Sequence, residues 1–194
     1  MTILEQLVSN AYFNHSRHVA QISKIIAAKA GYSETEITII EQAALLHDVG
    51  KSAIPPDILN KPDVLTPEEY ELIKTHTENG YHQIMDTIST LASAASVAKE
   101  HHERLDGSGY LKLSDDNINP YAKLISIADA FDALISRRVY KEPWDVKNAI
   151  QYLAENDNHF DRIIVGYLMS VISEVILIYK SGSVQQSKIP VQGA

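Results

Sequence analysis

The chain of 194 residues contains no cysteine, and this absence limits its chemistry. Without thiols it can form neither disulfides nor thiolate metal sites, so any metal must be held by histidine and carboxylate side chains. No apolar segment is both long and charge-free enough to cross a bilayer, and no basic region followed by an apolar stretch opens the sequence. We therefore expect a soluble, cytoplasmic protein that does not bind membranes.

Positive charge is also scarce, because 17 Lys and Arg residues face 25 Asp and Glu residues, for a net charge of −8. This balance argues against a general nucleic-acid surface, so we expect no DNA partner. It does not exclude a small anionic substrate, since bound cations would dominate the local field. The length permits one domain with its own core, predicted over 1–180, and a disordered tail over 181–194 that is rich in Ser, Gln and Gly.

No segment shows convincing strand alternation, whereas nearly every long segment has helical periodicity. Ser33 to Glu36 has the pattern of a capping box, Thr66-Pro67 opens another helix, and Asn119-Pro120 opens a third. The predicted helices run from about 2 to 30, from 34 to 47, from 66 onward, from 91 to 101, from 120 onward, from 144 to 155 and from 161 to 179. The sequence therefore predicts a single all-α bundle of about seven or more helices.

The pair His47-Asp48 follows the apolar run Ala43 to Leu46. Burying polar groups without partners is unfavourable, and a bound metal removes that penalty by taking imidazole nitrogen and carboxylate oxygen as ligands. For the dipeptide alone, a capped helix terminus with a surface acid is an equally good interpretation.

The same chemistry recurs on other predicted helices, where His15, His76, His101-His102 and Asp129 lie on or beside inward-facing stripes. One histidine on an apolar stripe is more often a hydrogen-bonded core residue than a ligand, but core filling explains such a set poorly. Neighbours on a helix diverge by about 100°, so His101 and His102 could bind two different metals. Alternatively, one of them binds a metal and the other contacts a metal ligand without binding metal itself. An all-nitrogen-and-oxygen set of this size suggests two metals of the iron, manganese or zinc type.

Three motifs stand in a fixed order, namely His47-Asp48 with Gly50-Lys51, the segment His76-Thr77-Glu78-Asn79-Gly80, and His101-His102-Glu103-Arg104-Leu105-Asp106-Gly107-Ser108-Gly109-Tyr110. Together they resemble the HD-GYP branch of the HD-domain metal phosphohydrolases, over about residues 15–160. The resemblance implies a helical HD-domain bundle around a metal site. It also implies hydrolysis of cyclic di-GMP to pGpG, and in some members to GMP, by a hydroxide that bridges two metals.

Carried over by position, the resemblance implies a set of metal ligands made only of histidine and aspartate: His15, His47, Asp48, His76, His101, His102 and Asp129. Asp48 would bridge the two metals. Some family members hold a third metal through a glutamate one turn before the first histidine, but Ala11 occupies that position here. We therefore expect two divalent metals, iron or manganese first, with zinc or nickel as alternatives.

The resemblance also implies residues that act on a cyclic dinucleotide. Asp48 and Lys51 would be catalytic, with Lys51 contacting the scissile phosphate, and Tyr110 would contact substrate from the signature loop, residues 107–119. Arg138 and Lys141 match family positions that hold substrate phosphate or guanine, although taken alone they are ordinary solvated charges.

Four further polar residues have less defined roles. Asp132 lies three residues after Asp129, so it is either a partner for a ligand histidine or a solvent-exposed acid. The remaining histidines are expected at the surface or at helix ends: His18, His82 and His159.

The chain departs from the family at Leu111, which replaces the proline of the Gly-Tyr-Pro motif that gives the branch its name. Proline fixes φ, so we expect leucine to leave this loop less restrained. Alternative functions are therefore a bimetallic hydrolase of another cyclic dinucleotide or nucleotide phosphate, or a non-catalytic nucleotide-binding module. The module would signal through a protein partner that binds the 107–119 loop, and the chain could also pair with a second copy.

Overall fold

The computed structural model describes residues 13–136 and 142–186. Its α-helices are α1 (Phe13–Ala30), α2 (Glu34–Leu46), α3 (Pro56–Leu59), α4 (Pro67–Lys74), α5 (His76–Thr87), α6 (Ala92–Glu100), α7 (Pro120–Ile135), α8 (Val146–Glu155), α9 (Arg162–Ser170) and α10 (Ile172–Gln186). Short 3-10 segments cover Val49–Ala53, Ser89–Leu91 and Asp115–Asn117. These two described ranges contain no strand, and the prediction of an all-α fold is confirmed.

Side-chain caps are present at the three helix starts that the sequence predicts. The hydroxyls of Ser33 and Thr66 each accept a hydrogen bond from the backbone N–H three residues later, and the glutamate there bonds back to the capping residue. The Asn119 side chain accepts from the N–H of Tyr121. All three predicted helix starts are confirmed, because capping depends on a few adjacent residues.

The core lies between helices that are distant in sequence. Helix α1 packs against α2 and α7, while α5 packs against α6 and the 3-10 segment Val49–Ala53. Ile22, Ile40, Leu124 and Phe131 are fully buried between these layers. The histidines and aspartates predicted as metal ligands lie on the same inward faces, so the packing of this core also brings them together.

The C-terminal part differs from the sequence prediction. The single helix expected over 161–179 is two helices, α9 and α10, which are bent by 64° at Val171. Both helices contact α1. The bend keeps the two helices against α1, whereas a single straight helix would move away from it. Helix α10 continues to Gln186, into the predicted tail, and the rest of that tail lies outside the described residues.

No single helix within the described ranges is long and apolar enough to cross a membrane. The bent pair of α9 with the first part of α10 reaches the required length and composition only when the two helices are taken together.

Candidate metal centre

Five helices bring the predicted ligands to one place. His15 lies in α1, His47 caps the end of α2 with Asp48 directly after it, and His76 begins α5. The remaining predicted ligands come from the end of α6 and from the middle of α7: His101, His102 and Asp129. Because these helices cross at their inward faces, residues separated by more than a hundred positions in sequence become neighbours.

The seven side chains form two groups. The first contains Asp48, His76, His101 and His102, and the second contains His15, His47 and Asp129. Within each group, one ligand atom from every residue lies within 4.8 Å of the others. Each group therefore offers enough donors, of suitable type, to hold one cation.

Asp48 lies between the two groups. Its Oδ1 is 3.5 Å from Nε2 of His76 and 3.6 Å from Nε2 of His101. Its Oδ2 is 3.3 Å from Nε2 of His47 and 3.8 Å from Nε2 of His15. The two oxygens of one carboxylate thus face different groups, which is the arrangement of a ligand that bridges two metals.

His101 and His102 both belong to the first group, with ring centroids 4.1 Å apart. This grouping differs from the alternative in which the two neighbours serve different metals, and it lies at the end of α6, where His101 is the C-cap. Beyond that point the chain turns, so the regular helical rotation of about 100° per residue no longer applies.

Burial keeps the histidines of the first group neutral. It lowers the pKa of His76 to about 4, assisted by the neighbouring His101, and it also lowers the pKa values of His101 and His102. Neutral imidazole is the form that binds metal. These three side chains are therefore already in the protonation state that a metal site requires.

The second group has the opposite electrostatics. Burial acts to lower the pKa of His15, but the carboxylates of Asp129 and Asp132 outweigh it and raise this pKa to about 9. Burial likewise acts to raise the pKa of Asp129, yet the hydrogen bond and charge of His15 hold it well below its usual range. The carboxylates are thus ionised and attract a cation.

Hydrogen bonding leaves the ligand atoms available. The Nδ1–H groups of His47, His76 and His101 donate to the carbonyls of Ala44, Ile73 and Ala98 at 2.6, 2.7 and 2.9 Å. A neutral imidazole that donates from Nδ1 presents its Nε2 lone pair to a metal.

The described side chains leave two buried atoms of the centre, His47 Nε2 and Asp48 Oδ1, without a hydrogen-bond partner, at a usual cost of about 1–3 kcal/mol each. A cation bound in each group would satisfy these two atoms, so the residues fit two metals.

A buried carboxylate supports the second group. Asp132 is only 1% exposed and accepts hydrogen bonds from Nδ1 of His15 at 2.6 Å, Nδ1 of His18 at 3.0 Å, the Tyr179 hydroxyl at 2.7 Å and the Ser136 hydroxyl at 3.0 Å. Asp132 therefore orients His15 instead of facing solvent.

His18 was expected at the surface or at a helix end, but it joins the Asp132 network. The spacing of three residues from His15 places both rings on one face of α1, and that spacing was the signal available in the sequence. His82 and His159 lie apart from the centre and pair with Glu78 and Asp106.

Two predicted substrate residues border the centre, and two lie outside the described residues. The Lys51 ammonium is 2.5 Å from Oδ2 of Asp48, and the Tyr110 ring lies 4.6 Å from the His102 ring. Arg138 and Lys141 fall in the undescribed segment 137–141.

The signature loop is restrained although it lacks the family proline. The buried Glu103 carboxylate accepts hydrogen bonds from the N–H groups of Leu111 at 2.7 Å and Leu113 at 2.8 Å. Proline at 111 could not donate the first of these bonds. Glu103 therefore restrains the loop through a bond that proline would remove, and the effect of leucine relative to proline stays a prediction.

These features define the class as an all-α domain with a buried histidine and aspartate pocket of metal-binding type. Residues 2–164 match the HD domain family. The fold resembles that of Bd1817, a HDG"Y"P protein from Bdellovibrio bacteriovorus, with a TM-score of 0.67 over 88% of this chain and 60% of that chain. Sequence identity to that structure is 22%, so this likeness concerns the fold alone.

Two curated relatives extend the comparison. The chain is 42% identical over 139 residues to a cyclic di-GMP phosphodiesterase of Thermotoga maritima, which covers 71% of this chain and 38% of the relative. It is 37% identical over 170 residues to the 3'3'-cGAMP-specific phosphodiesterase 2 of Vibrio cholerae, which covers 86% of this chain and 33% of the relative. The chain thus spans less than half the length of these relatives. It belongs to the HD-domain family, in the HD-GYP branch that its ordered motifs predicted.

Proposed function

We propose that this domain is a metal-dependent phosphodiesterase that hydrolyses cyclic di-GMP to pGpG, with GMP as a further product. The observation that carries the proposal is the position of Asp48, whose two oxygens face two separate groups of ligands. The Thermotoga maritima relative, named a cyclic di-GMP phosphodiesterase, supports this choice of reaction and substrate.

We assign one cation to the group of His76, His101 and His102, a second to the group of His15, His47 and Asp129, and Asp48 to both. Mixed imidazole and carboxylate ligands suit iron or manganese, and zinc or nickel are the alternatives. When bound, two such cations neutralise phosphate oxygens and make water nucleophilic at neutral pH.

Lys51 and Tyr110 would act on the substrate from the edge of the centre. The ammonium of Lys51 now pairs with Asp48, and its flexible stem allows it to pair with a phosphate oxygen instead. Burial, reinforced by the neighbouring Tyr70, raises the pKa of Tyr110, so its phenol stays protonated and can donate a hydrogen bond. Arg138 and Lys141 remain predicted contacts to phosphate or guanine.

A second candidate substrate is another cyclic dinucleotide, because the Vibrio cholerae relative is named for 3'3'-cGAMP. Competition between the two cyclic dinucleotides in one hydrolysis assay separates these candidates. The ligand set together with Lys51 favours either phosphodiesterase over a non-catalytic module. Such a module has no need of a lysine ammonium beside the carboxylate that we assign to both metals.

The test is product analysis by chromatography, with the full chain loaded with manganese or iron(II). We expect linear pGpG from cyclic di-GMP, and a loss of roughly 10³-fold or more in rate for Asp48→Asn, since metal contributions amount to several kcal/mol. Asp86→Asn, an exposed acid on α5, is the matched control and should leave the rate unchanged. A protein that binds two metals but releases no linear product from cyclic di-GMP would contradict the proposal.

A further inference from the structure

Helix α4 places an exposed aromatic ring beside the signature loop. The Tyr70 side chain is 47% exposed, and its ring centroid lies 6.3 Å from that of Tyr110, at nearly a right angle. The ammonium of Lys74, one turn further along α4, lies 5.5 Å from the Tyr70 centroid and 5.8 Å from the Tyr110 centroid. A lysine that contacts both rings holds the pair together through cation–π attraction.

These rings continue outward from the candidate metal ligands. Tyr110 lies 4.6 Å from the His102 ring and 6.4 Å from the His76 ring, and Tyr70 lies beyond Tyr110. In a nucleotide the sugar separates the phosphate from the base. A phosphate near His102 would therefore place its base within reach of the tyrosine pair.

Tyr70 stands on an anchored element. Thr66 and Glu69 form the capping box of α4, and the Glu69 carboxylate also pairs with Lys61 at 2.6 Å. Lys74 pairs with Glu71 at 2.6 Å, which holds the end of its side chain near the rings. A ring presented from such an element loses little conformational entropy when a flat ligand binds.

We propose that Tyr70, held by Lys74 beside Tyr110, is a stacking surface for one purine base of the substrate, an inference that rests on the proposed function. Every base has a π-face, so stacking on tyrosine tolerates different bases. The surface accordingly requires a base but does not distinguish guanine from adenine. It separates nucleotides from phosphate esters that carry no base.

The test is calorimetric binding of GMP, AMP and ribose 5-phosphate to the full chain loaded with manganese. For Tyr70→Ala we expect binding of GMP and AMP to weaken equally, by about 5- to 100-fold, with ribose 5-phosphate unchanged. Tyr70→Phe keeps the ring and should retain the affinity for both nucleotides. Tyr152→Ala is the matched control, because this partly exposed tyrosine lies on α8 against Trp144.

Two results would overturn the inference: no change for GMP in Tyr70→Ala, or an equal loss for GMP and ribose 5-phosphate. The second would mean that Tyr70 supports the phosphate site instead of the base. Because binding is measured without turnover, the proposed function can fail separately, through absence of cyclic di-GMP hydrolysis with base-dependent binding intact. In an enzyme that does hydrolyse cyclic di-GMP, Tyr70→Ala should raise KM and leave kcat nearly unchanged.

Discussion

At the scale of single residues, the same hydrogen bond between a histidine and a helix-end carbonyl occurs three times in the centre. The last carbonyls of an α-helix have no partner within the helix. At the ends of α2, α4 and α6 such a carbonyl accepts the Nδ1–H of His47, His76 and His101, each three residues after it. One hydrogen bond therefore closes a helix end, fixes the imidazole tautomer and directs Nε2 into the pocket.

The Asp132 carboxylate should control how well the second group binds metal. Asp132→Asn keeps the size of the side chain but weakens its bonds to His15 and His18, so we expect manganese affinity to fall about 10- to 100-fold. Equilibrium dialysis of the variant against manganese measures this change, and Tyr179→Phe, which removes one donor to Asp132, should give a smaller loss. Unchanged affinity in Asp132→Asn would show that this carboxylate does not orient His15.

Helical periodicity and the family resemblance together indicate the seven candidate ligands, and the structure gathers them into two neighbouring groups. Their motifs are local, so a pattern can reveal them. The contacts of Asp132 with His18 and Tyr179 join α7 to α1 and α10, and no local pattern predicts such pairs. Arg138 and Lys141 stay predictions.

At the scale of elements, two glycines let the Val49–Ala53 segment approach α5. A Cβ atom at Gly50 would lie 2.0 Å from the carbonyl oxygen of His76 and 2.4 Å from the backbone nitrogen of Gly80. Neither backbone atom can move away without displacing α5, which begins with a candidate ligand. The Gly50-Lys51 part of the motif therefore has a packing reason in addition to the charge of Lys51.

Gly50→Ala should accordingly lower the free energy of unfolding by about 1–3 kcal/mol, the usual cost of overpacking. Gly166→Ala is the matched control, because a Cβ atom at that position in α9 meets nothing within 4 Å. It should stabilise the protein by about 0.5–1 kcal/mol, since alanine favours the helix. Urea unfolding of both variants tests the pair, and equal stability of Gly50→Ala and the wild type would contradict the close approach.

Restoring the family proline should weaken this signature loop. Leu111→Pro removes the N–H that donates to Glu103, a charged hydrogen bond of about 1.5–3 kcal/mol, whereas Leu111→Ala retains it. We expect Leu111→Pro to be the less stable of the two in thermal unfolding, and the amide of Leu113 to exchange faster in it. A proline variant as stable as the alanine variant would show that the Glu103 bond contributes little.

Helix starts were predictable because Ser33, Thr66 and Asn119 act on neighbouring residues. The bend at Val171 was not, because it depends on how α9 and α10 pack against α1. The restraint on the signature loop is not predictable from the sequence for a similar reason. It depends on the Glu103 carboxylate, which accepts hydrogen bonds from N–H groups eight and ten residues later.

At the scale of the whole molecule, the bundle collects two ionised carboxylates and five imidazoles in one pocket. Bound cations neutralise this pocket only in the folded chain, so metal binding stabilises the fold. At a metal concentration 100 times Kd the gain is about 2.7 kcal/mol, which for a chain of this size corresponds to about 5–10 °C in Tm.

Chelation with EDTA should therefore lower Tm by that amount in differential scanning calorimetry, and added manganese should restore it. Asp48→Asn should respond much less to either treatment. A wild-type Tm that does not change with metal would mean that the pocket binds no cation under these conditions.

The central claim is that Asp48 joins two metal sites, and the most direct measurement is elemental analysis of protein purified without added metal. We expect two equivalents of iron or manganese per chain in the wild type, and one or none in Asp48→Asn. A wild-type protein without metal, or a variant that retains both equivalents, would contradict it.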